Sequence, residues 1–389
     1  MAPSPDWPLE ESLAGMGLQR FVGHGRERPA QAETAEASEI DAPALQAPRR
    51  WGLSAEAVAH LGDRLYQFWL RFRGGCTTRT RDPSAAAYAY LRAQLTMDTE
   101  RNFANMDRTR PGGEGQALQH FMSNSPWSGQ VVFSQMQAAI KAIPALAHGS
   151  TLMRDESADE KAGTHNAGAS RQSNGRLGKG DVCRVDTCLT YAHGGRWAMV
   201  EGALFVPAEW WGAACAQRRT ELGSPAERRC ETQIQWGVKM VKRVKPHGLP
   251  FDLLACDALS GRDRPFRAEV DAAGVRYAAQ GPADPHLSRS EPRMGIPPKQ
   301  GRRGRPRLRL QVLGGQDPHE GRALAQHPQT TWPQGEVRHT ARGRLTADCA
   351  VRRVWTVAAG QRPRAEGLVI RRHSDGDCSY TLRNARVYS

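Results

Sequence analysis

No stretch of the 389-residue chain reaches the roughly 18 consecutive apolar residues that a membrane span requires, so a membrane-embedded function is excluded at the outset. The first residues, MAPSPDWPLEESL, lack the basic start and apolar run of a secretory signal. The eight cysteines are scattered, none forms a C-x-x-C pair, and the twelve histidines are equally dispersed, so no zinc ligand set is visible. Reduced thiols in a cytoplasmic protein are expected. Acidic residues are in deficit, with 40 Asp and Glu against 54 Lys and Arg. The resulting net charge of +14 and pI near 9.8 point to a polyanionic partner, because each neutralised phosphate releases condensed counterion. NGRLGKG lacks the G-x-x-x-x-G-K-[ST] spacing of a phosphate loop, which argues against nucleotide binding. No internal repeat of 20–50 residues is present.

The chain divides by texture into four parts. Residues 1–49, rich in Ala, Glu and Pro, read as a disordered leader. Residues 50–148 read as a helical domain. Leu53, Val58, Leu61, Leu65 and Phe68 fall at helical spacing after Ser54, and further helical patches lie in AAAYAYLRAQLTM and GQALQHFMSNSPW. The period then shortens. VCRVDTCLTYA and RWAMVEGALFVP are strand-like runs joined by a turn at 193–195. A helix with Ile234, Val238, Val241 and Val244 on one face follows, then the short apolar run FDLLACD, a helix in RPFRAEVDAAG and a strand in VRYAAQ. This order is the plan of an α/β, ribonuclease-H-like mixed sheet over 149–284, with Asp155 ending its first strand and Asp257 its fourth, side by side. Residues 285–389 hold a basic loop and β-rich sequence. Seven Arg and one Lys stand against a single acid, Glu291, between Arg289 and Arg309.

Several motifs then resemble one family in its own order over roughly 50–389: the DDE-type transposases of bacterial insertion sequences, in the DDE superfamily endonuclease branch. They are LQHFMSNSPW (118–127), Asp155 with Lys161 and Gly163, RQSNGRLGK (171–179), FVPAEWW (205–211), LLACDALSG (253–261), GRRGRPR (301–307) and GLVIRRHSDGDCSYTLRNA (367–385). The resemblance implies that the helical domain 50–148 binds DNA, and that DNA strands are cleaved and transferred by three acids holding two Mg²⁺ or Mn²⁺ ions. Its first two acids fall on Asp155 and Asp257. The third, a Glu on a helix after a β insertion, is expected beyond the last residue, which makes a truncated, impaired enzyme the expectation. Glu366 precedes a strand and is a poor substitute, and Glu156, Asp159 and Glu160 read as solvent-facing. In small details the chain departs from the family, with Ala158 after Ser157, Gln233 beside Thr232, and Ser260 before Gly261.

The expected partner is double-stranded DNA at the ends of an insertion element, in a nucleoid-associated setting, with self-association left open. Phosphate contacts are assigned to Lys161, Lys179, Arg302, Arg303, Arg305 and Arg307. Arg303-Gly304-Arg305-Pro306 also resembles the core of an A·T-hook, a turn that enters narrow minor grooves. The competing reading, from a different class, is a non-catalytic DNA-binding protein derived from a transposase.

Overall fold

The computed structural model describes residues 60–384 apart from 98–99, 110–115, 126, 163–165, 176, 226, 283–285, 299–307, 314–318, 341–342, 359 and 374. The leader and Arg302, Arg303, Arg305 and Arg307 lie outside the described residues. The chain forms two compact units, 1–135 and 136–389.

The first unit contains α1 (Leu61–Leu70), α2 (Ser84–Thr96), α3 (Phe103–Arg108) and α4 (Ala117–Asn124). Its packing explains the LQHFMSNSPW motif. Leu118 is buried against Ala89, Ala93 and Met106, and Phe121 stacks on Trp127 with ring centroids 6.0 Å apart. Asp107, also buried, accepts the backbone N–H of Ala117 at 3.2 Å and so satisfies an orphan donor at the start of α4. Helix α5 (Gly129–Lys141) leads onward.

The second unit is built on one mixed sheet. Its strands are β1 (Thr151–Glu160), β2 (Ser170–Asn174), β3 (Lys179–His193), β4 (Arg196–Phe205), β5 (Leu253–Cys256) and β6 (Tyr277–Gln280). They are joined by β11 (Gln334–Thr340), β12 (Gly343–Thr356), β13 (Arg364–Arg372) and β14 (Cys378–Arg383). Four two-residue strands lie off this sheet: β7 (His286–Leu287), β8 (Met294–Gly295), β9 (Gln311–Val312) and β10 (His319–Glu320). The main order is β11-β12-β13-β14-β6-β5-β1-β3, with β2 and β4 both on β3. β1 runs antiparallel to β3 and parallel to β5, and β5 is parallel to β6. The β4-β3-β1-β5-β6 portion is the ribonuclease-H-like arrangement; β14 adds to β6 antiparallel, so the β-rich C-terminal sequence extends the same sheet.

The first strand is longer than its apolar residues suggest. Asp155 does not end it. β1 continues through the charged ESADE segment because its pairing with β3 runs unbroken from Thr151↔Ala192 to Glu160↔Cys183. Backbone pairing to a long neighbour sets its length, whereas burial stops early. Asp257 does follow directly on β5.

Three helices pack on one face. α7 (Gln233–Val244) opens with a capping box between Thr232 and Gln235, and it buries Val238, Met240, Val241 and Val244 against Leu152, Leu189 and Leu254. α6 (Ala216–Glu221) precedes it outside this layer. α8 (Ala258–Arg262) and α9 (Arg264–Ala272) follow β5. Asp263 caps α9 through the Phe266 N–H at 2.6 Å, and Phe266 and Val270 join the core. Helix α10 (Gly321–Gln326) covers the sheet extension with Leu324.

The C-terminal extension is locked to the core by a buried ion pair. Arg267 Nε and Nη2 donate to the two oxygens of Glu366 at 2.8 and 3.0 Å, and Nη1 donates to the Gly261 carbonyl at 2.5 Å. The Tyr277 and Thr356 hydroxyls donate to the same carboxylate.

Gly261 has a steric reason. A Cβ there would lie 1.8 Å from the carbonyl oxygen of Gln280 in β6, a backbone atom that cannot rotate away. Gly261→Ala is therefore expected to cost about 1–3 kcal/mol through overpacking, seen as a lower urea midpoint at unchanged slope. A midpoint equal to the parent's would contradict this packing.

Candidate nuclease site

The register sets which side chains meet. In the parallel β1–β5 pair, Met153 faces Ala255 and Arg154 faces Cys256, so Asp155 and Asp257 stand one step further along neighbouring strands. Alternation sends their neighbours to opposite faces of the sheet. Arg154 enters the helix-covered face, fully buried beside Gly237 of α7 and Phe266 of α9. Asp155 occupies the other, open face and is exposed.

The charges are unevenly shared. Arg154 Nη1 lies 2.5 Å from Glu156 Oε1 and 3.5 Å from Asp257 Oδ1. Glu156 is thus not the solvent-facing acid expected from its charged surroundings. It lies two residues beyond Arg154 on the same face and is drawn in to neutralise it. Asp257 also caps α8, where its Oδ1 accepts the Ser260 N–H at 3.3 Å. Asp155 Oδ1 accepts only the adjacent Glu156 N–H, at 2.8 Å.

Electrostatics tie the acids together. The Asp155 carboxyl is raised above its ordinary value, first by desolvation, opposed by its backbone hydrogen bond, and raised further by the negative charge of Asp257. Glu156 is raised too, by desolvation above all, against the pull of Arg154. The thiols of Cys188 and Cys256 flank the acids. Burial, with the neighbouring carboxylates adding to it, pushes them up to about 11 and about 12. Both stay protonated at neutral pH, and the donors available to a cation are carboxylate oxygens, the set that suits Mg²⁺ or Mn²⁺ rather than zinc.

Among the described residues, no group of three or more His, Cys, Asp or Glu side chains is placed to hold an ion. Glu366 is engaged on both oxygens by Arg267 on the buried face. Lys161 and Lys179 lie along the β1–β3 ladder, about 20 and 30 Å from Asp155 at ~3.3 Å per residue, where they pair with Asp159 and Asp181. The structure does not bring them to the acids.

A second basic feature escaped the reading of the sequence. Following the ladder outward, Met153, Ala255, Ala278, Arg383, Gly367 and Arg353 occupy one row across six strands. Arg353, Arg371 and Arg383 therefore share the open face with Asp155, on strands about 14–24 Å from β1 at ~4.8 Å spacing. Arg353 also lies over the Trp355 ring, 4.9 Å from its centroid. On this face the described residues of β6, β12, β13 and β14 include no acid. The visible signal was the alternation in VRRVWT and VIRR, but the shared face needs the register of strands about 200 residues apart.

A raised carboxyl costs stability once ionised. Stability from protonated Asp155 is complete below the unfolded pKa near ~3.9 and is lost as pH rises through the folded value. Asp155→Asn should therefore melt higher than the parent at pH 7, with the gain vanishing as pH falls below ~4. Scanning calorimetry showing a less stable variant at pH 7 would refute this.

Comparison with known proteins adds one match. A family model described as DDE superfamily endonuclease covers residues 72–344, about seven-tenths of the chain. A search of curated proteins finds no match. Among the described residues no helix is long and apolar enough to cross a membrane. The ribonuclease-H-like sheet, the two acids on adjacent parallel strands and this match agree: the chain belongs to the DDE superfamily endonucleases.

Proposed function

We propose that the chain acts on double-stranded DNA as a transposase-type endonuclease, with Asp155 and Asp257 as its metal-binding carboxylates. The observation that carries this is their position at the end of the β1–β5 parallel pairing, where Asp257 raises the Asp155 carboxyl. Carboxylate oxygens on adjacent strands fit one hydrated Mg²⁺ or Mn²⁺, an ion that keeps several of its waters and takes substrate phosphate into its shell. Such an ion supplies the activation of water or a 3′-hydroxyl and stabilises the leaving oxygen. Asp155 and Asp257 would hold it, and Arg353, Arg371 and Arg383 would carry the phosphate backbone along the same sheet face. The ends of an insertion element are the DNA that the family reading implies.

Turnover is expected to be impaired. Two-ion chemistry uses three fixed carboxylates, and among the described residues no third acid is placed with Asp155 and Asp257 to hold an ion, with Glu156 committed to Arg154 and Glu366 to Arg267. The second reading, DNA binding without chemistry, is favoured by one observation: Asp257 is engaged by Arg154 and by its own helix cap.

Two measurements separate these readings. Mn²⁺ titrated into the chain should bind in an Asp155- and Asp257-dependent way, and Asn at either position should abolish that binding while leaving duplex affinity intact. Unchanged Mn²⁺ binding in both variants would remove the metal assignment and leave the DNA-binding reading. Changing Arg353, Arg371 and Arg383 together to Gln should lower the salt dependence of duplex binding by about 2–3 in log–log slope, at ~0.9 per phosphate contact. An unchanged slope would place the DNA elsewhere.

A further inference from the structure

We propose that Arg154 is a tethered counter-cation that draws Asp257 away from Asp155 and competes with a divalent ion for it, with Glu156 setting how strongly. The proposal rests on the reading of Asp155 and Asp257 as metal-binding residues.

Two buried arginines make the comparison. Each nitrogen of Arg267 used in its clamp has an aligned acceptor. Arg154 is more buried still, yet Nε and Nη2 have no aligned acceptor among the described residues, and Nη1 meets Glu156 Oε1 at 2.5 Å and Asp257 Oδ1 at 3.5 Å. Arg154 is thus tied through one nitrogen shared between two acids, not through three directed bonds. An anion held in that way can be exchanged at less cost than one in a bidentate clamp.

The position is also an unusual one for a cation. Leu152 and Leu254 are fully buried on the same face, and Arg154 takes the next place in that apolar row. Replacing a buried ion pair as a whole by apolar side chains is often neutral or stabilising, so the fold does not need a charged pair there. It does accommodate one. A Cβ on Gly237 would come within 3.3 Å of Arg154 Nε and of the Phe266 ring, so glycine at 237 spares the guanidinium a displacement of a few tenths of an ångström.

Asp257 consequently has two ties on the helix side, Arg154 Nη1 and the Ser260 N–H, and none to Asp155 among its hydrogen bonds and ion pairs. A divalent ion recruiting Asp257 has to displace the guanidinium. Glu156 shares that guanidinium, so it weakens the hold on Asp257. Loss of the Glu156 charge hands Arg154 over to Asp257.

The test is Mn²⁺ binding to the full chain, followed by the electron paramagnetic resonance signal of free Mn²⁺. Arg154→Met should bind about tenfold tighter than the parent, within the 5–150-fold range of typical coupling. Glu156→Gln should bind more weakly, and the double variant should match Arg154→Met, because Glu156 acts only through Arg154. Arg154→Met binding no tighter than the parent overturns the proposal. A double variant as weak as Glu156→Gln also overturns it and makes Glu156 a ligand. Should Arg154→Met fail to fold, Glu156→Gln alone decides, since equal or tighter binding there contradicts the proposal. If Asp155→Asn and Asp257→Asn bind as the parent does, the underlying metal assignment fails instead, whatever the arginine variants show.

Discussion

A guanidinium withdrawn from water must be met by carboxylates, and this requirement organises the second unit at two places. Arg267 and Glu366 meet it with directed bonds, reinforced by Tyr277 and Thr356. Their side chains come from α9 and β13, so the pair joins the C-terminal strands to the helix layer of the core across 99 residues of sequence. Desolvation alone would raise the Glu366 carboxyl, yet its hydrogen bonds and the Arg267 charge hold it below the ordinary value. A buried ion of this kind is neutral to fold stability at best, but losing one partner leaves the other uncompensated at a cost of about 3–5 kcal/mol. The extension is therefore hard to detach once folded, which keeps the arginines of β12, β13 and β14 on the same surface as Asp155.

At Arg154 the same requirement is met more loosely, and the looseness falls beside the acids. Metal sites built from carboxylates carry an inherent problem before the ion arrives, because like charges held close repel. One solution is to leave a carboxyl raised, as Asp155 is. Another is to supply a cation from the chain. Both are present here, one on each face of the sheet, and Asp257 stands at the edge between them.

The regular part of the fold was legible because its residues repeat the period of their elements. In β3, Cys183, Val185, Leu189 and Tyr191 alternate with exposed or half-buried neighbours, and Val238, Val241 and Val244 mark the buried stripe of α7. The adjacency of the strands that carry Asp155 and precede Asp257 followed from the element order. Features that depend on a partner distant in sequence were not legible. ESADE has no apolar signal, yet it forms strand because β3 lies alongside. Glu156 looks like one more solvated acid until alternation puts it beside a buried arginine. The Gly261 requirement lies in a carbonyl nineteen residues on, at Gln280.

The basic character of the chain illustrates the same limit from the other side. Sequence draws attention to density of charge, as in the run from Arg289 to Arg309, because clustered arginines are adjacent on the page. Arg353, Arg371 and Arg383 are dispersed over three strands and become a set only through antiparallel register, Arg353 opposite Gly367 and Gly367 opposite Arg383. Small side chains at Gly367, Ala278 and Ala255 leave the row between the arginines and Met153 low, so a duplex backbone could approach the sheet without steric obstruction by those residues. A surface made in this way is rigid. Each guanidinium stands on a strand paired on both sides, so less conformational entropy is lost on contact with phosphate than from a loop of equal charge. On the proposed reading, in which a phosphate is held beside Asp155, a fixed cationic row on the same sheet would position the duplex, while a mobile basic segment would chiefly raise its local concentration.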